Sequence, residues 1–131
     1  MSDSIFTKII RGDIPSYKIL ENENFISFLD INPIKEGHTL VVPKLQVDYI
    51  YDLPNDIFNG LFNFSKLVAQ KLERAIECDR IGITVVGLEV PHAHIHLIPI
   101  NEISDMSFEN QRIHPSQTEF QKILKKINSS N

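Results

Sequence analysis

The sequence predicts an α+β fold: an antiparallel sheet of about five strands with a long central helix, a short N-terminal helix and a C-terminal helix. Segments with strand character follow one another along the chain, and one long helix interrupts them. That order favours an antiparallel sheet with helices on one side over alternating βαβ units. No repeat, low-complexity tract or linker is visible, so we expect one domain over residues 1–131.

The first third of the chain predicts a short helix and three strands. Apolar residues at helical spacing predict the helix, namely Ile5, Phe6, Ile9 and Ile10. Gly12 stands where this helix would end. Tyr17–Glu21 and Phe25–Ile31 predict a hairpin around a short polar turn, and Thr39–Val42 predicts a strand that Pro43 ends.

The middle of the chain predicts the long central helix. Asp52 is a candidate N-cap and Pro54 lies in the predicted first turn. One apolar stripe has helical period and predicts a helix to about residue 77, namely Ile57, Leu61, Phe64, Val68, Leu72 and Ile76. Gly60 lies inside this helix at a cost of about 1 kcal/mol relative to alanine, which packing can override.

The last third predicts two strands and a terminal helix. Ile81–Val86 is a β-branched run, which predicts a buried strand, and Ala93–Ile100 predicts another. Residues 101–115 look irregular. Ser116 and Glu119 form a capping box ahead of apolar residues at helical spacing, so a helix should begin there.

Composition excludes several classes of function. The formal net charge is -4, whereas nucleic-acid and acidic-membrane surfaces need a net-basic patch. Cys78 is the only cysteine, so no internal disulfide can form. With no signal peptide and no apolar run near the roughly 20 residues of a bilayer span, we expect a cytoplasmic protein without nucleic-acid or membrane partners.

Three of the five histidines alternate along one predicted strand. His92, His94 and His96 therefore share one face, while the apolar residues between them share the other, namely Ala93, Ile95 and Leu97. With the apolar face in the core, the histidine face should be solvated or line a pocket. Each neighbouring ring needs its own hydrogen-bond partner, so packing by itself gives no reason for this arrangement.

Two chemistries use such a row of imidazoles. Three histidines can hold an open zinc site, and a neutral imidazole oriented by a second group can act as a nucleophile. Same-face positions lie about 7 Å apart along a strand, whereas zinc–nitrogen bonds measure about 2 Å. The spacing therefore favours contact with a larger group, such as a phosphate with its substituents.

The alternating histidine run resembles the signature of the histidine triad (HIT) nucleotide hydrolases and transferases. Further blocks resemble those of the HINT branch in the same order and cover residues 4 to about 100, namely 4–10, Ile14-Pro15, 28–33 and 37–44. Residues 101–131 carry little of the resemblance. The resemblance implies a purine nucleotide or nucleoside phosphoramidate as substrate, cleavage at the α-phosphorus, no cofactor and a homodimer.

The resemblance also implies a role for each matching residue. His94 would attack the α-phosphorus and carry a covalent nucleotidyl intermediate, and His96 would contact the phosphate and leaving group. His92 would orient the site, and His38 would support the nucleophile from behind. Asp30 would accept hydrogen bonds from the ribose hydroxyls, although its residue type alone would also suit a turn.

The same resemblance implies an apolar slot for the purine, formed by Ile5, Phe6, Ile9, Phe28 and Ile31. From residue type alone, Ile9 and Phe28 fit an ordinary core equally well. An apolar slot reads purine shape before purine edges, so adenosine and guanosine are not distinguished.

The chain departs from the family pattern at two places. Ser4 and Thr7 stand where some members carry two cysteines that bind a structural zinc, so we expect no metal there. Glu89 stands where the family usually has a serine or threonine that contacts phosphate. A carboxylate there would repel phosphate unless it is protonated, turned away or paired. One hypothesis is that Glu89 senses the leaving group and favours an amine over a second phosphate.

Three functions remain open from the sequence. The first is a phosphoramidase or dinucleotide hydrolase of the HIT type. The second is a non-catalytic nucleotide-binding or interaction module on the same fold, because fold does not determine function. The third is a hydrolase that uses the three histidines to hold zinc.

Overall fold

A computed structural model describes residues 2–129. Its three helices are α1 (Ile5–Ile10), α2 (Asn55–Ala75) and α3 (Gln117–Ser129). Its five strands are β1 (Lys18–Glu21), β2 (Phe25–Leu29), β3 (Thr39–Pro43), β4 (Arg80–Thr84) and β5 (Ile95–Ile100). Short 3-10 helices cover Ile50–Asp52 and Ile103–Met106. None of the helices in the described part of the chain is both long enough and apolar enough to span a bilayer.

The strands form one antiparallel sheet in the order β1-β2-β3-β5-β4, which confirms the predicted fold class. The crossover places β5 between β3 and β4, so the triad strand lies inside the sheet. Leu40 of β3 pairs with His96, and Thr84 of β4 pairs with the same residue from the other side. The predicted hairpin of β1 and β2 is present, and β2 ends at Leu29 rather than Ile31.

The prediction that all helices lie on one side of the sheet is wrong. The main core joins α2 and α3 to one face, through residues that include Val41, Ile95 and Leu97. A second apolar cluster on the opposite face holds Phe6 of α1 against β2 and β3, namely Ile26, Phe28, Leu40 and Val42. Because β2 and β3 are buried throughout, both of their faces are covered.

Helix α2 begins three residues later than predicted. Asp52 belongs to the preceding 3-10 helix, and Pro54 is the residue that caps α2. Gly60 is required by the fold, because a Cβ there would lie 2.7 Å from the ring of Phe25. The close approach of helix and sheet at this glycine therefore offsets its low helix propensity.

The predicted strand Ile81–Val86 is not buried. It runs from Arg80 to Thr84 at the edge of the sheet, and its residues are exposed or half-buried. The β-branched composition reflects strand propensity, whereas burial depends on the strand's place in the sheet order. The next strand begins at Ile95, so Ala93 and the first two triad histidines precede the ladder.

The C-terminal capping box is present. The backbone N–H of Ser116 donates to the carboxylate of Glu119 at 2.9 Å, and the N–H of Glu119 donates to Ser116 Oγ at 3.1 Å. Before it, residues 107–115 run back over the sheet, and the N–H of Ile113 donates to the carbonyl of Pro33 at 2.9 Å. This return places the C-terminal segment beside the histidines.

Candidate active site

The three triad histidines are buried, with relative exposures of 0% for His92, 3% for His94 and 5% for His96. His94 and His96 line a cavity of about 180 Å³, which we call the triad cavity. His92 lies behind it, packed edge-on to Phe6 at 5.7 Å between ring centroids. The histidine face thus lines a pocket rather than facing solvent.

The hydrogen bond of His94 determines which of its ring nitrogens is free. Its Nδ1 lies 2.7 Å from the carbonyl oxygen of His92, and a carbonyl can only accept, so Nδ1 carries the proton. In the neutral ring, Nε2 then holds a lone pair. No buried side-chain nitrogen or oxygen in the described residues lacks a partner, so this unbonded Nε2 must reach open space. The geometry leaves an unprotonated ring nitrogen on the residue that lines the triad cavity.

Both ring nitrogens of His92 are bonded to the protein. Nε2 lies 2.8 Å from the carbonyl oxygen of Pro43 and must donate to it. Nδ1 therefore accepts a hydrogen bond from the hydroxyl of Ser4 at 2.6 Å. These two bonds fix the ring and the backbone that carries the acceptor for His94.

His38 determines the tautomer of His96. The backbone N–H of Ile34 donates to Nδ1 of His38 at 3.0 Å, so the ring proton of His38 is on Nε2. That Nε2 lies 3.0 Å from Nδ1 of His96 and donates to it. In neutral His96 the proton is then on Nε2, and this ring is a donor where His94 is an acceptor.

Burial keeps these imidazoles neutral. Desolvation is the main cause that lowers the pKa of His38 to about 4 and the pKa of His96 to about 3. Desolvation also lowers the pKa of His92 and of His94, although the carbonyl acceptor of each ring opposes it. At neutral pH all four rings are therefore available as neutral donors or acceptors.

The apolar wall of the triad cavity contains each residue that the resemblance assigned to the purine slot, namely Ile5, Phe6, Ile9, Phe28 and Ile31. Phe6 and Phe28 are also core residues and pack edge to face at 5.7 Å. Ile31 is 68% exposed, so it lies at the rim. The two interpretations of Phe28 are thus compatible, since one side chain serves both the core and the cavity wall.

Asp30 lies in the cavity wall next to His38. One carboxylate oxygen accepts a hydrogen bond from the N–H of Asn32 at 2.9 Å, which is the turn role that its residue type suggests. The other oxygen lies 3.5 Å from Nε2 of His38 and 4.0 Å from Arg112. A single side chain therefore stabilises the turn and faces the site.

Glu89 lines the triad cavity and is paired. Its carboxylate lies 3.2 Å from Nη2 of Arg112, which is one of the three arrangements under which a carboxylate could be tolerated there. The carboxylate side chain is 61% exposed and the arginine 18% exposed. The acid thus points outward and the guanidinium lies further in.

Two residues beside the triad, Phe108 and Arg112, lie in residues 101–115, for which the sequence predicts no structure or function. The ring of Phe108 packs edge-on to His96 at 4.8 Å between centroids, and it supports the guanidinium of Arg112 at 5.5 Å. Residues 101–115 have no periodicity or motif, so no sequence signal indicates these contacts. His114 lies in a separate cleft with Glu36 and Ile123.

The position of the family's zinc-binding cysteines holds a network of hydrogen bonds. Thr7 donates from its hydroxyl to Gln46 Oε1 at 2.6 Å, and the N–H of Ser4 donates to the same oxygen at 2.9 Å. Without thiolates, this set of hydroxyls and an amide does not suit a structural zinc site. The network instead connects α1 to His92.

A second group of potential ligands lies within 4.8 Å of one another, namely Asp30, His38 and His96. The hydrogen bond between the two rings accounts for their proximity, and it uses Nε2 of His38 and Nδ1 of His96. His92 is not a member of this group, and both of its ring nitrogens are already hydrogen-bonded to the protein.

The chain is similar to proteins of one family. It is 35% identical over 100 residues to an adenosine 5′-monophosphoramidase of Saccharomyces cerevisiae, covering 72% of this chain and 61% of that protein. It is 31% identical over 106 residues to an adenylylsulfatase of Arabidopsis thaliana, covering 77% and 54%. A crystal structure of a Hit-like protein from Bartonella henselae superposes with a TM-score of 0.84 at 30% identity, covering 97% and 95% of the two chains. The HIT domain family model matches residues 11–103, and the chain therefore belongs to the histidine triad (HIT) family.

Proposed function

We propose that this protein is a purine nucleotide hydrolase that cleaves a bond at the α-phosphorus through a nucleotidyl-histidine intermediate. The observation that carries this proposal is the hydrogen bond from Nδ1 of His94 to the carbonyl of His92, which leaves Nε2 as a lone pair at the triad cavity. The similarity to proteins named adenosine 5′-monophosphoramidase and adenylylsulfatase supports the choice of substrate class.

In the first step Nε2 of His94 attacks the α-phosphorus of a nucleoside phosphoramidate. The amine first takes one proton from solvent; the Nε2–P bond then forms, the P–N bond breaks, and the amine leaves as neutral ammonia with the electron pair. The ring of His94 becomes cationic, and the carbonyl of His92 stabilises it by accepting from Nδ1 at 2.7 Å. Nε2–H of His96 donates to a phosphoryl oxygen beside the leaving atom, because His38 holds its other nitrogen as an acceptor.

In the second step water attacks the phosphorus and the P–Nε2 bond breaks. The electron pair returns to Nε2 of His94, one water proton is released, and the nucleoside monophosphate leaves. Splitting hydrolysis in this way replaces one difficult displacement with two easier ones. The purine would lie against Phe6 and Phe28, and Asp30 would accept from the ribose hydroxyls as carboxylates do in dinucleotide sites.

Zinc held by all three triad histidines is less well supported. The Nε2–H of His92 donates to the carbonyl of Pro43 and its Nδ1 accepts from the hydroxyl of Ser4, so binding a metal would break a buried hydrogen bond. A binding module without catalysis would not require the free lone pair of His94. The test therefore treats both alternatives as outcomes.

The experiment measures AMP release from adenosine 5′-phosphoramidate by EDTA-treated wild type, His94→Ala and a His114→Ala control. We expect turnover in the wild type and the control, and none in His94→Ala. AMP binding without turnover in any variant would indicate a binding module. Turnover that returns only with added zinc would overturn the metal-free mechanism.

We also propose that the protein is a homodimer. Apolar side chains are exposed on α2, in the segment before it and in the loop after β4, namely Tyr49, Tyr51, Phe62, Val86 and Leu88. Together with half-buried Phe58 they line a cleft of about 460 Å³ that reaches His94. Exposed apolar patches of this kind mark interaction surfaces. A mass of one chain by light scattering at high micromolar concentration would overturn this proposal, and Phe62→Glu should convert a dimer to monomers.

A further inference from the structure

We infer that Arg112 is a specificity-determining residue, whose Nη2 exchanges the carboxylate of Glu89 for an anionic leaving group on the α-phosphorus. The inference rests on the proposed function and extends it. It assigns this site a preference for nucleotides whose leaving group is a sulfate or phosphate over those with a neutral amine. This preference is opposite to the hypothesis that Glu89 by itself suggests from the sequence.

The two halves of the Arg112 guanidinium are held differently. Nη1 donates to the backbone carbonyl of Asn32 and lies 4.0 Å from the carboxylate of Asp30. Nη2 bonds only to Glu89 among the described residues, at 3.2 Å. The bond to the backbone of Asn32 positions the guanidinium, whereas the bond to Glu89 uses a side-chain carboxylate that can rotate away.

The bond to Glu89 is weak enough to be exchanged. The carboxylate is 61% exposed, and ion pairs in contact with water contribute about 0–1 kcal/mol. Arg112 is only 18% exposed and stays in place when Glu89 swings out, because Asn32 and the ring of Phe108 hold it. The carboxylate of Glu89 thus occupies the place that an oxyanion of the substrate would take.

Phe108 connects the guanidinium to the reacting groups. The same ring packs against His96 at 4.8 Å and under Arg112 at 5.5 Å. His96 is the donor that faces the leaving group in the proposed mechanism. Arg112 therefore shares the Phe108 ring with His96 and pairs with Glu89, and on these contacts we place its guanidinium at the leaving-group end.

Before the attack, none of the histidines carries a charge that could bind such a leaving group. All four are neutral at pH 7, and the field of Arg112 itself contributes to the lowered pKa of His38 and His96. A sulfate or phosphate leaves as an anion, so a fixed guanidinium lowers the energy of that charge as the P–O bond breaks. In this step the Nε2–P bond forms, the electron pair of the P–O bond goes to the departing oxygen, and no additional proton is required for sulfate.

The test compares kcat/KM for adenosine 5′-phosphosulfate and adenosine 5′-phosphoramidate in the wild type, Arg112→Gln and Arg112→Lys. Arg74→Gln is the control, because it removes an exposed arginine from α2. We expect Arg112→Gln to lower the phosphosulfate value by about 100-fold, the size of effect seen when one oxyanion donor is removed. The phosphoramidate value should change less than about 3-fold, and Arg112→Lys should retain part of the preference because it keeps the charge.

A second variant tests whether the leaving group replaces the carboxylate of Glu89 as the partner of Arg112. Glu89→Gln removes the competing carboxylate and should raise the phosphosulfate value without raising the phosphoramidate value. Equal losses for both substrates in Arg112→Gln, or no loss for either, would overturn the inference. So would a wild type that hydrolyses the phosphoramidate but not the phosphosulfate, which leaves the proposed function intact. A wild type inactive on both would overturn the proposed function as well.

Discussion

Nε2 of His38 donates a hydrogen bond to Nδ1 of His96 across 3.0 Å, although 58 residues separate them in the chain. The bond has a defined direction because the N–H of Ile34 occupies the other nitrogen of His38. It makes His96 a donor at the triad cavity, while the carbonyl of His92 makes His94 an acceptor. Two chemically identical side chains thereby receive opposite roles from their neighbours.

The His38–His96 bond predicts the outcome of two substitutions. His38→Phe removes the donor, so His96 can adopt the other tautomer, and we expect kcat to fall about 10- to 100-fold with little change in KM. His38→Gln keeps an N–H donor of similar reach and should retain more of the activity. The measurement is steady-state hydrolysis of adenosine 5′-phosphoramidate, with His114→Gln as the control. Equal kcat values for the two His38 variants would contradict the tautomer argument.

The lowered pKa of His94 predicts the acid side of the pH profile. Burial disfavours the imidazolium, so the nucleophile stays neutral below its usual pKa of 6.5. We expect kcat/KM to remain constant as pH falls from 8 to 6.5 and to decline only at lower pH. A profile whose acid midpoint lies at or above pH 6.5 would show that the free enzyme does not hold His94 as described.

The buried histidines also predict how stability depends on pH. The pKa of His38 is lowered to about 4 in the folded protein, so between pH 6.5 and 4 the unfolded chain binds more protons than the folded one. The free energy of unfolding therefore falls as pH falls through this window, and the stabilisation is fully present above pH 6.5. Urea unfolding at pH 7.5, 6.5 and 5.5 should show this decline in the wild type. The decline should be smaller in His38→Gln, and an equal decline would refute the assignment.

Ser4 predicts a stability effect larger than that of an ordinary helix cap. Its hydroxyl accepts from the N–H of Thr7 at 3.0 Å and donates to buried His92 at 2.6 Å. Ser4→Ala should lose about 1 kcal/mol from the cap and a further 1–3 kcal/mol from the unpaired Nδ1 of His92. Ser116→Ala loses only an exposed cap and serves as the matched control, measured by urea unfolding at pH 7.5. Equal losses would mean that the bond to His92 contributes no net stability.

Local patterns predicted the elements whose causes are local. The stripe from Ile57 to Ile76 predicted α2, since a helix with one apolar face must bury it. The capping box at Ser116 placed the start of α3 within one residue. Boundaries were less well predicted where a neighbour decides them, as at Asp52, which ends the 3-10 helix that precedes α2.

Burial of β4 was predicted wrongly because it is a property of the sheet rather than of the strand. Its β-branched residues suit a strand equally well at the edge or in the centre, and the crossover of β5 left β4 outside. The same limit applies to the sides of the sheet. Nothing in Ile5–Ile10 indicates that α1 packs on the face opposite α2.

The sequence by itself determined the α+β class and the single row of three histidines. It also determined the family resemblance, which assigns roles to the histidines and to the residues around them. These three results depend on periodicity and on the order of motifs, and both can be recognised from residues that are close together in the sequence. Only the tertiary structure decided that His38 orients His96, that Ser4 holds His92, and that Arg112 pairs with Glu89 from a segment without any motif. Each of these contacts joins residues at least 23 positions apart, and their hydrogen bonds form only after the sheet and its covering segments have brought them together.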